Sequence, residues 1–329
     1  MTRISGDLEA ELRSRFELDS LRITRLDPVT EGHSGFTYRV TVANGDAESR
    51  YVLRLPPPGA SPTGSADVAR QGRIMAALHG AGLPVPAILS VSSNAVIDGR
   101  PYLLMEEVSG DRIEVAAGCE EPARLAASAI ATLKRIHKVP LSATGIGDEE
   151  VVPLTGELAR WARLMDRGAR ELTMRATALA DRLAATVPPE QVPALVHADY
   201  HMGNMLFRDG DVVTVLDWEI AELGQPLIDL GCLCVVTSRR WFGGLAFPGG
   251  TLNLDVGLFL ALYGVERKDF DWYLGFSLWK YAAILGYNLM LHRKGRRHDR
   301  MYEAPAIGAT ITSMIDDGIE LIDGRAHWL

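Results

Sequence analysis

Leu195-Val-His-Ala-Asp-Tyr-His-Met-Gly-Asn-Met-Leu-Phe207 and Val215-Leu-Asp-Trp-Glu219 carry the most informative chemistry in this chain. The first stretch holds His197, Asp199 and Asn204, with Asn204 five residues after Asp199. Thirteen residues after Asn204, Asp217 ends a short hydrophobic run, and Glu219 follows it. Carboxylates and a carboxamide in this order suit a hard cation such as Mg²⁺, which takes oxygen ligands, keeps some of its waters and is usually shared with substrate phosphates. The spacing matches the needs of phosphoryl transfer. One Asp orients the attacking hydroxyl and accepts its proton, while an Asn and a second Asp hold the metal that neutralises phosphate charge.

The flanking sequence organises around these motifs. Leu8, Leu12 and Phe16 recur at helical spacing over residues 7–18, with Asp7 placed to cap. From about Arg22 the period changes to two. Phe36, Tyr38, Val40 and Val42 alternate with Thr37, Arg39 and Thr41, the Asn44-Gly45 pair marks a hairpin turn, and Tyr51–Leu55 is the next strand. A helix is expected over 66–79, then short strands over 87–91 and 102–106. Beyond Gly110 the pattern is helical, over 122–138, 155–186, 226–240, 255–263, 270–292 and 305–323. One β-rich patch interrupts it, at 194–196, 205–207 and 212–216. The expected division is a β-rich unit over 1–105, a connector over 106–110 and a helical unit over 111–329. A cleft between two such lobes is a usual place for a ligand.

Composition narrows the function classes. The chain has 329 residues, 47% hydrophobic and 23% charged, ordinary for a globular protein. Its net charge of −8, from 34 basic and 42 acidic residues, lacks the footprint of a nucleic-acid binder. Three cysteines, Cys119, Cys232 and Cys234, form no CxxC pair and imply reduced thiols in a cytoplasmic protein. The N-terminal residues have no apolar signal region, and the longest apolar run, Leu274–Leu291, carries Lys280 inside it, which argues for a buried helix over a membrane span.

The order H-x-D-x-x-x-x-N followed by a second Asp motif is that of protein-kinase-like enzymes. HADYHMGNMLF and VLDWEIAELGQPLIDLG together resemble the aminoglycoside phosphotransferase and choline kinase family of small-molecule kinases, and within it the kinase-like domains fused to some acyl-CoA dehydrogenases. The resemblance spans about residues 22–300. It implies an α+β, protein-kinase-like bilobal fold, with a small antiparallel β N-lobe and a larger, mostly helical C-lobe. The activity it implies is ATP- and Mg²⁺-dependent phosphorylation of a hydroxyl on a small molecule.

By this resemblance Asp199 is the catalytic residue, and Asn204, Asp217 and Glu219 serve the metal. Ser34 and Gly35, in Glu31-Gly-His-Ser-Gly35, cover the nucleotide phosphates. Arg54 stands where most kinases carry Lys, and Gln71 where the family has the partner Glu. Arg54 is therefore expected to lack a carboxylate partner and to take its countercharge from the nucleotide. Met105 occupies the gatekeeper position, and the backbones of Glu106 and Val108 face the adenine edge. Ala198 replaces a family Gly, adding a methyl group, and Gln225 replaces an Asp.

Other readings of the same residues remain open. His197, Asp199 and His201 alternate as H-x-D-x-H, a pattern that also fits a metal hydrolase, although that leaves the Asp217 segment unexplained. His197 is expected to hold the loop and Asp229 to cap the following helix. Trp279, Tyr281 and Tyr287 read as core or cleft wall. Arg293, Lys294, Arg296, Arg297 and Arg300 read as a solvated helix end, or as a basic patch favouring a neutral or anionic acceptor. A nucleotide-binding pseudokinase acting as an interaction module is the alternative to an enzyme.

Overall fold

The computed structural model describes residues 2–29, 36–61, 63–245 and 252–328. The chain forms two compact units that do not correspond to a single cut. Residues 140–148 and 214–220 join residues 1–109 in the first, and the remainder forms the second.

The first unit is a five-stranded antiparallel sheet in the order β1-β2-β3-β5-β4, built from β1 (Leu21–Val29), β2 (Phe36–Asn44), β3 (Ala47–Leu55), β4 (Ile88–Ile97) and β5 (Arg100–Glu106). The period-two pattern accounts for it. Tyr38, Val40 and Val42 are buried, while the alternating residues are half-buried or exposed. Asn44 pairs with Ala47 across a two-residue loop, in which Gly45 adopts a φ of +59° that costs a glycine little. Helix α1 (Thr2–Phe16) lays Leu8 and Leu12 into a core with Leu26, Val40, Leu53 and Leu104. It begins five residues before Asp7, so Asp7 is not its cap. The Asp7 carboxylate instead accepts the backbone N–H of Asp98 at the β4–β5 turn, at 2.8 Å. Helix α2 (Val68–Gly80), capped by Asp67, packs on β4 and β5.

The second unit is helical. It comprises α3 (Ile113–Cys119), α4 (Pro122–Ile136), α5 (Leu154–Met165), α6 (Ala176–Ala185), α7 (Leu227–Thr237), α8 (Arg239–Phe242), α9 (Val256–Tyr263), α10 (Arg267–Arg293) and α11 (Ala306–Ile322). Two short antiparallel ribbons accompany it, β6 (Ala194–Val196) with β9 (Glu222–Gly224), and β7 (Met205–Arg208) with β8 (Asp211–Val215), whose last two residues count with the first unit. The helix expected over 155–186 is two helices. The intervening turn is held where the Ala169 N–H meets the Gly286 carbonyl, a tertiary contact that local periodicity does not encode. Helices α7 and α10 approach closely at Gly231, where an added Cβ would come within 2.8 Å of the Tyr273 carbonyl. That proximity brings α7 and α10 side chains together beneath the 197–204 loop. Among the described residues no helix is long and apolar enough to cross a membrane.

Candidate active site

In the second unit the loop after β6 runs through His197, Ala198 and Asp199 into a short 3₁₀ turn, Met202–Asn204. The loop is held from beneath by Asp229. Asp229 lies inside α7, fully buried, and does not cap that helix. Its carboxylate accepts the backbone N–H groups of His197 and Ala198, both at 2.8 Å, and pairs with His137 Nε2 at 3.2 Å. Tyr263 supports His137 through a 2.8 Å bond to Nδ1. Two buried N–H groups thereby gain a charged acceptor, which is what a tight loop in a core needs.

His197 is fully buried, and its Nδ1 accepts the Asp199 N–H at 3.2 Å, the loop-holding role expected of it. His201 likewise turns Nδ1 onto the Gly203 N–H at 3.1 Å. With these ring nitrogens engaged by backbone, the H-x-D-x-H metal cluster is not built. Among the described residues no group of three His, Cys, Asp or Glu side chains is placed to hold a metal.

The Asp199 carboxylate is partly exposed and receives the Tyr281 hydroxyl at 2.8 Å on Oδ1. Asn204 Nδ2 donates to the Asp199 carbonyl at 3.0 Å and lies 3.4 Å from Oδ2. The Asn204 carboxamide oxygen is thus the atom available to a hard cation. Burial would raise the Asp199 carboxyl, but the neighbouring His201 and Lys280 and the Tyr281 hydrogen bond outweigh it and hold it well below the usual carboxylate range. Asp199 is therefore an anion able to accept a hydrogen bond from a hydroxyl and orient it.

Ala198 does more than add a methyl group. Its φ is +65°, a left-handed conformation that disfavours any residue with a Cβ. Gln225, in place of the family Asp, makes a two-point bond to the Gln191 backbone, accepting at 2.7 Å and donating at 3.2 Å.

In the first unit Val215 donates its N–H to the Pro84 carbonyl at 2.7 Å, and the Trp218 indole closes the turn onto Val215 at 3.0 Å. Asp217 sits at the bend with φ +65°. Arg54, on β3, donates Nη1 to Asp217 and Nη2 to Glu219, each at 3.0 Å. The expectation that Arg54 lacks a carboxylate partner is therefore wrong. A planar guanidinium can span two carboxylates, and the pair comes from a distant segment and not from α2. Burial alone would lower the Arg54 pKa, but Asp217 and Glu219 hold it above its ordinary value. Gln71 is buried on α2 and donates to the Ser65 carbonyl at 3.0 Å. Asp217 and Glu219 offer only oxygen donors, the chemistry Mg²⁺ prefers.

Glu106 and Val108 lie at and beyond the end of β5. The Glu106 N–H bonds the Ala87 carbonyl at 2.8 Å. Met105 is buried between Val52 and Ile88. Ser34 and Gly35 lie outside the described residues. The basic cluster after α10 is partly neutralised, with Arg293 on Glu171 and Arg297 on Asp299, while Lys294, Arg296 and Arg300 stay exposed. Cys232 and Cys234 are both buried free thiols, and burial pushes the Cys232 thiol up to about 11.

Four residues beside the loop were not singled out as functional from sequence. Asp229 and His137 give no local signal, because their partners are 31 to 92 positions away. Tyr281, read as core, does pack against Phe242, yet its hydroxyl reaches Asp199. Lys280 did leave a signal, as a lone cation in an apolar run.

Several known proteins are similar to this chain in fold or in sequence. A candidate aminoglycoside phosphotransferase from Ralstonia eutropha superposes with a TM-score of 0.76 at 23% identity, covering 97% of this chain and 98% of that one. A thermostable mutant of aminoglycoside phosphotransferase APH(4)-Ia, in ternary complex with ADP and hygromycin B, superposes with a TM-score of 0.62 at 17% identity, over 96% of this chain and 98% of that one. These likenesses bear on the fold. In sequence, acyl-CoA dehydrogenase family member 10 of Mus musculus is 29% identical over 277 residues, 77% of this chain and 25% of the relative. Family member 11 of Gallus gallus is 33% identical over 189 residues, 55% of this chain and 24% of the relative. The chain thus spans about a quarter of the length of these curated relatives. The model of the phosphotransferase enzyme family matches residues 25–251, well over half of the chain, and the protein belongs to that family.

Proposed function

We propose that this protein transfers the γ-phosphoryl group of ATP, with Mg²⁺, to a hydroxyl of a small-molecule acceptor. The observation that carries the reading is the Asp199 carboxylate. It is kept anionic and aimed by Tyr281 and Asn204 on a loop whose backbone is pinned by Asp229. Asp199 orients the acceptor hydroxyl and takes its proton. Asn204, Asp217 and Glu219 supply the oxygen ligands for Mg²⁺, which when bound neutralises charge on the phosphates. Arg54 offers a fixed cation to the nucleotide phosphates, together with Ser34 and Gly35, and the Glu106 and Val108 backbones receive the adenine. The exposed Lys294, Arg296 and Arg300 favour a neutral or anionic acceptor over a polycation.

The test is Asp199→Asn, assayed for ATP affinity and for turnover against an acceptor panel that includes aminoglycosides and hydroxyacyl thioesters. Transfer should fall by roughly 10²–10⁴-fold while ATP affinity stays near wild type. Near-normal turnover would sink the assignment, and so would loss of ATP binding.

One observation favours a second reading, a nucleotide-binding pseudokinase. Arg54 occupies both Asp217 and Glu219, the carboxylates assigned to the metal. Mg²⁺-dependent product formation separates the two readings, because a pseudokinase binds nucleotide without turnover on any acceptor.

A further inference from the structure

Lys280 is an uncommon residue to find where it lies. It sits in the middle of α10, wholly excluded from solvent. Its ammonium donates to the Ala198 carbonyl, lies 3.5 Å from the Cys232 sulfur and stands 4.8 Å over the Trp161 ring. Taking an ammonium out of water is costly, and a well-packed apolar side chain of the same length would stabilise the core at least as well. Core stability therefore does not account for a lysine here.

What the ammonium holds is specific. The peptide between Ala198 and Asp199 is fixed at both ends, with its carbonyl oxygen on Lys280 and its N–H on His197 Nδ1 at 3.2 Å. On the other side of Ala198, its own N–H is fixed by Asp229 at 2.8 Å. Ala198 needs this restraint because its φ of +65° is unfavourable for a residue with a Cβ. Rotation of this peptide would release Ala198 toward ordinary backbone geometry and swing the Asp199 side chain away from Tyr281 and Asn204.

We propose that Lys280 is a positioning residue for phosphoryl transfer, its ammonium holding the Ala198–Asp199 peptide in the orientation that aims the Asp199 carboxylate. The inference rests on the reading of Asp199 as the group that orients the acceptor. Lys280 touches neither acceptor nor nucleotide in this scheme and acts through the loop. Trp161 and Cys232 locate the ammonium, so that its third contact, the carbonyl, is directional.

The experiment compares wild type with Lys280→Met, Ala198→Gly and the double variant, using steady-state kinetics and amide hydrogen exchange over residues 195–204. Lys280→Met should lower kcat by roughly ten- to a hundredfold, the usual cost of a misplaced catalytic group, with acceptor KM and ATP affinity near wild type. Ala198→Gly in that background should recover part of the loss, because glycine tolerates the left-handed conformation unaided. Exchange at the Ala198 and Asp199 amides should speed up in Lys280→Met while α7 and α10 keep their protection. If Lys280→Met does not fold, Lys280→Gln is read in the same way, since its amide is one bond too short to reach the carbonyl. Wild-type kcat in a folded variant would overturn the proposal, as would unchanged exchange at Ala198 and Asp199. A wild-type protein that transfers phosphate to no acceptor, yet shows the exchange change on substitution, would refute the kinase reading and leave the loop-holding role standing.

Discussion

Asp229→Asn isolates the charge that holds the 197–204 loop, because the substitution keeps side-chain size and leaves no cavity. In the wild type Oδ1 accepts the Ala198 N–H, and Oδ2 accepts both the His197 N–H and His137 Nε2. The asparagine has one acceptor oxygen and one donor nitrogen. Its better rotamer puts the oxygen in the place of Oδ2 and turns NH₂ against the Ala198 N–H, donor facing donor. One charge-assisted hydrogen bond, worth about 1.5–3 kcal/mol, is lost outright. The two that remain change from a charged to a neutral acceptor, at about 0.5–1 kcal/mol each. The expected loss is therefore about 2.5–5 kcal/mol, a large fraction of a typical stability of about 5–15 kcal/mol. Urea unfolding followed by far-UV ellipticity measures it, as a lower midpoint at unchanged slope. Kinetics should show a further loss of kcat, because the same N–H groups set the path of the chain into Asp199. A stability loss below about 1 kcal/mol would show that the buried carboxylate does not hold the loop by its charge.

Three further outcomes are expected. Asp217→Ala should abolish the Mg²⁺ dependence of nucleotide binding, read by titrating ATP with and without Mg²⁺; a variant that keeps the full dependence would remove Asp217 from the metal site. Arg54→Ala should weaken ATP by roughly ten- to a hundredfold through loss of a charge-assisted contact. In the same variant Mg²⁺ alone should bind more tightly, because the guanidinium no longer competes for Asp217 and Glu219, and calorimetry distinguishes the two effects. Glu222 gives the pH prediction: burial and Glu157 push its carboxyl up to about 7 against the pull of Arg160 and Lys280. A carboxyl raised on folding costs nothing below its unfolded value near 4.5 and destabilises increasingly as pH rises through 7. The stability of Glu222→Gln relative to wild type should therefore grow between about pH 4.5 and 7, and a flat difference across that window would refute it.

Much of the fold was legible because its cause is local. The alternation Tyr38, Val40, Val42 with Asn44-Gly45 marks a hairpin by itself, and that hairpin is present. Most helices of the second unit follow from apolar periodicity, but α3 was not expected, the one expected over 226–240 is broken after Thr237, and the one over 155–186 is two helices. There a bond from Ala169 to Gly286 interrupts a pattern that reads as continuous. The chemistry of the site divides in the same way. Asp199 and Asn204 are legible because five residues of loop set their relation, and Asn204 does meet Asp199. The partner of Arg54 was not legible: a search confined to the adjacent helix finds Gln71, whereas the carboxylates lie 163 and 165 residues away.

Asp229 shows why such errors have a direction. A carboxylate in the first turn of a helix is ordinarily read as serving that helix, since the local dipole favours it there. Here two backbone N–H groups from a loop 31 and 32 residues earlier have the stronger claim, being buried with no water to satisfy them. The same reasoning applies to Lys280, whose charge inside an apolar run is informative because burial makes it expensive. Local patterns reveal which elements form. Polar residues that break those patterns mark where the elements must meet, and in this protein Asp229 and Lys280 meet at one alanine, Ala198, whose left-handed backbone leads directly into Asp199.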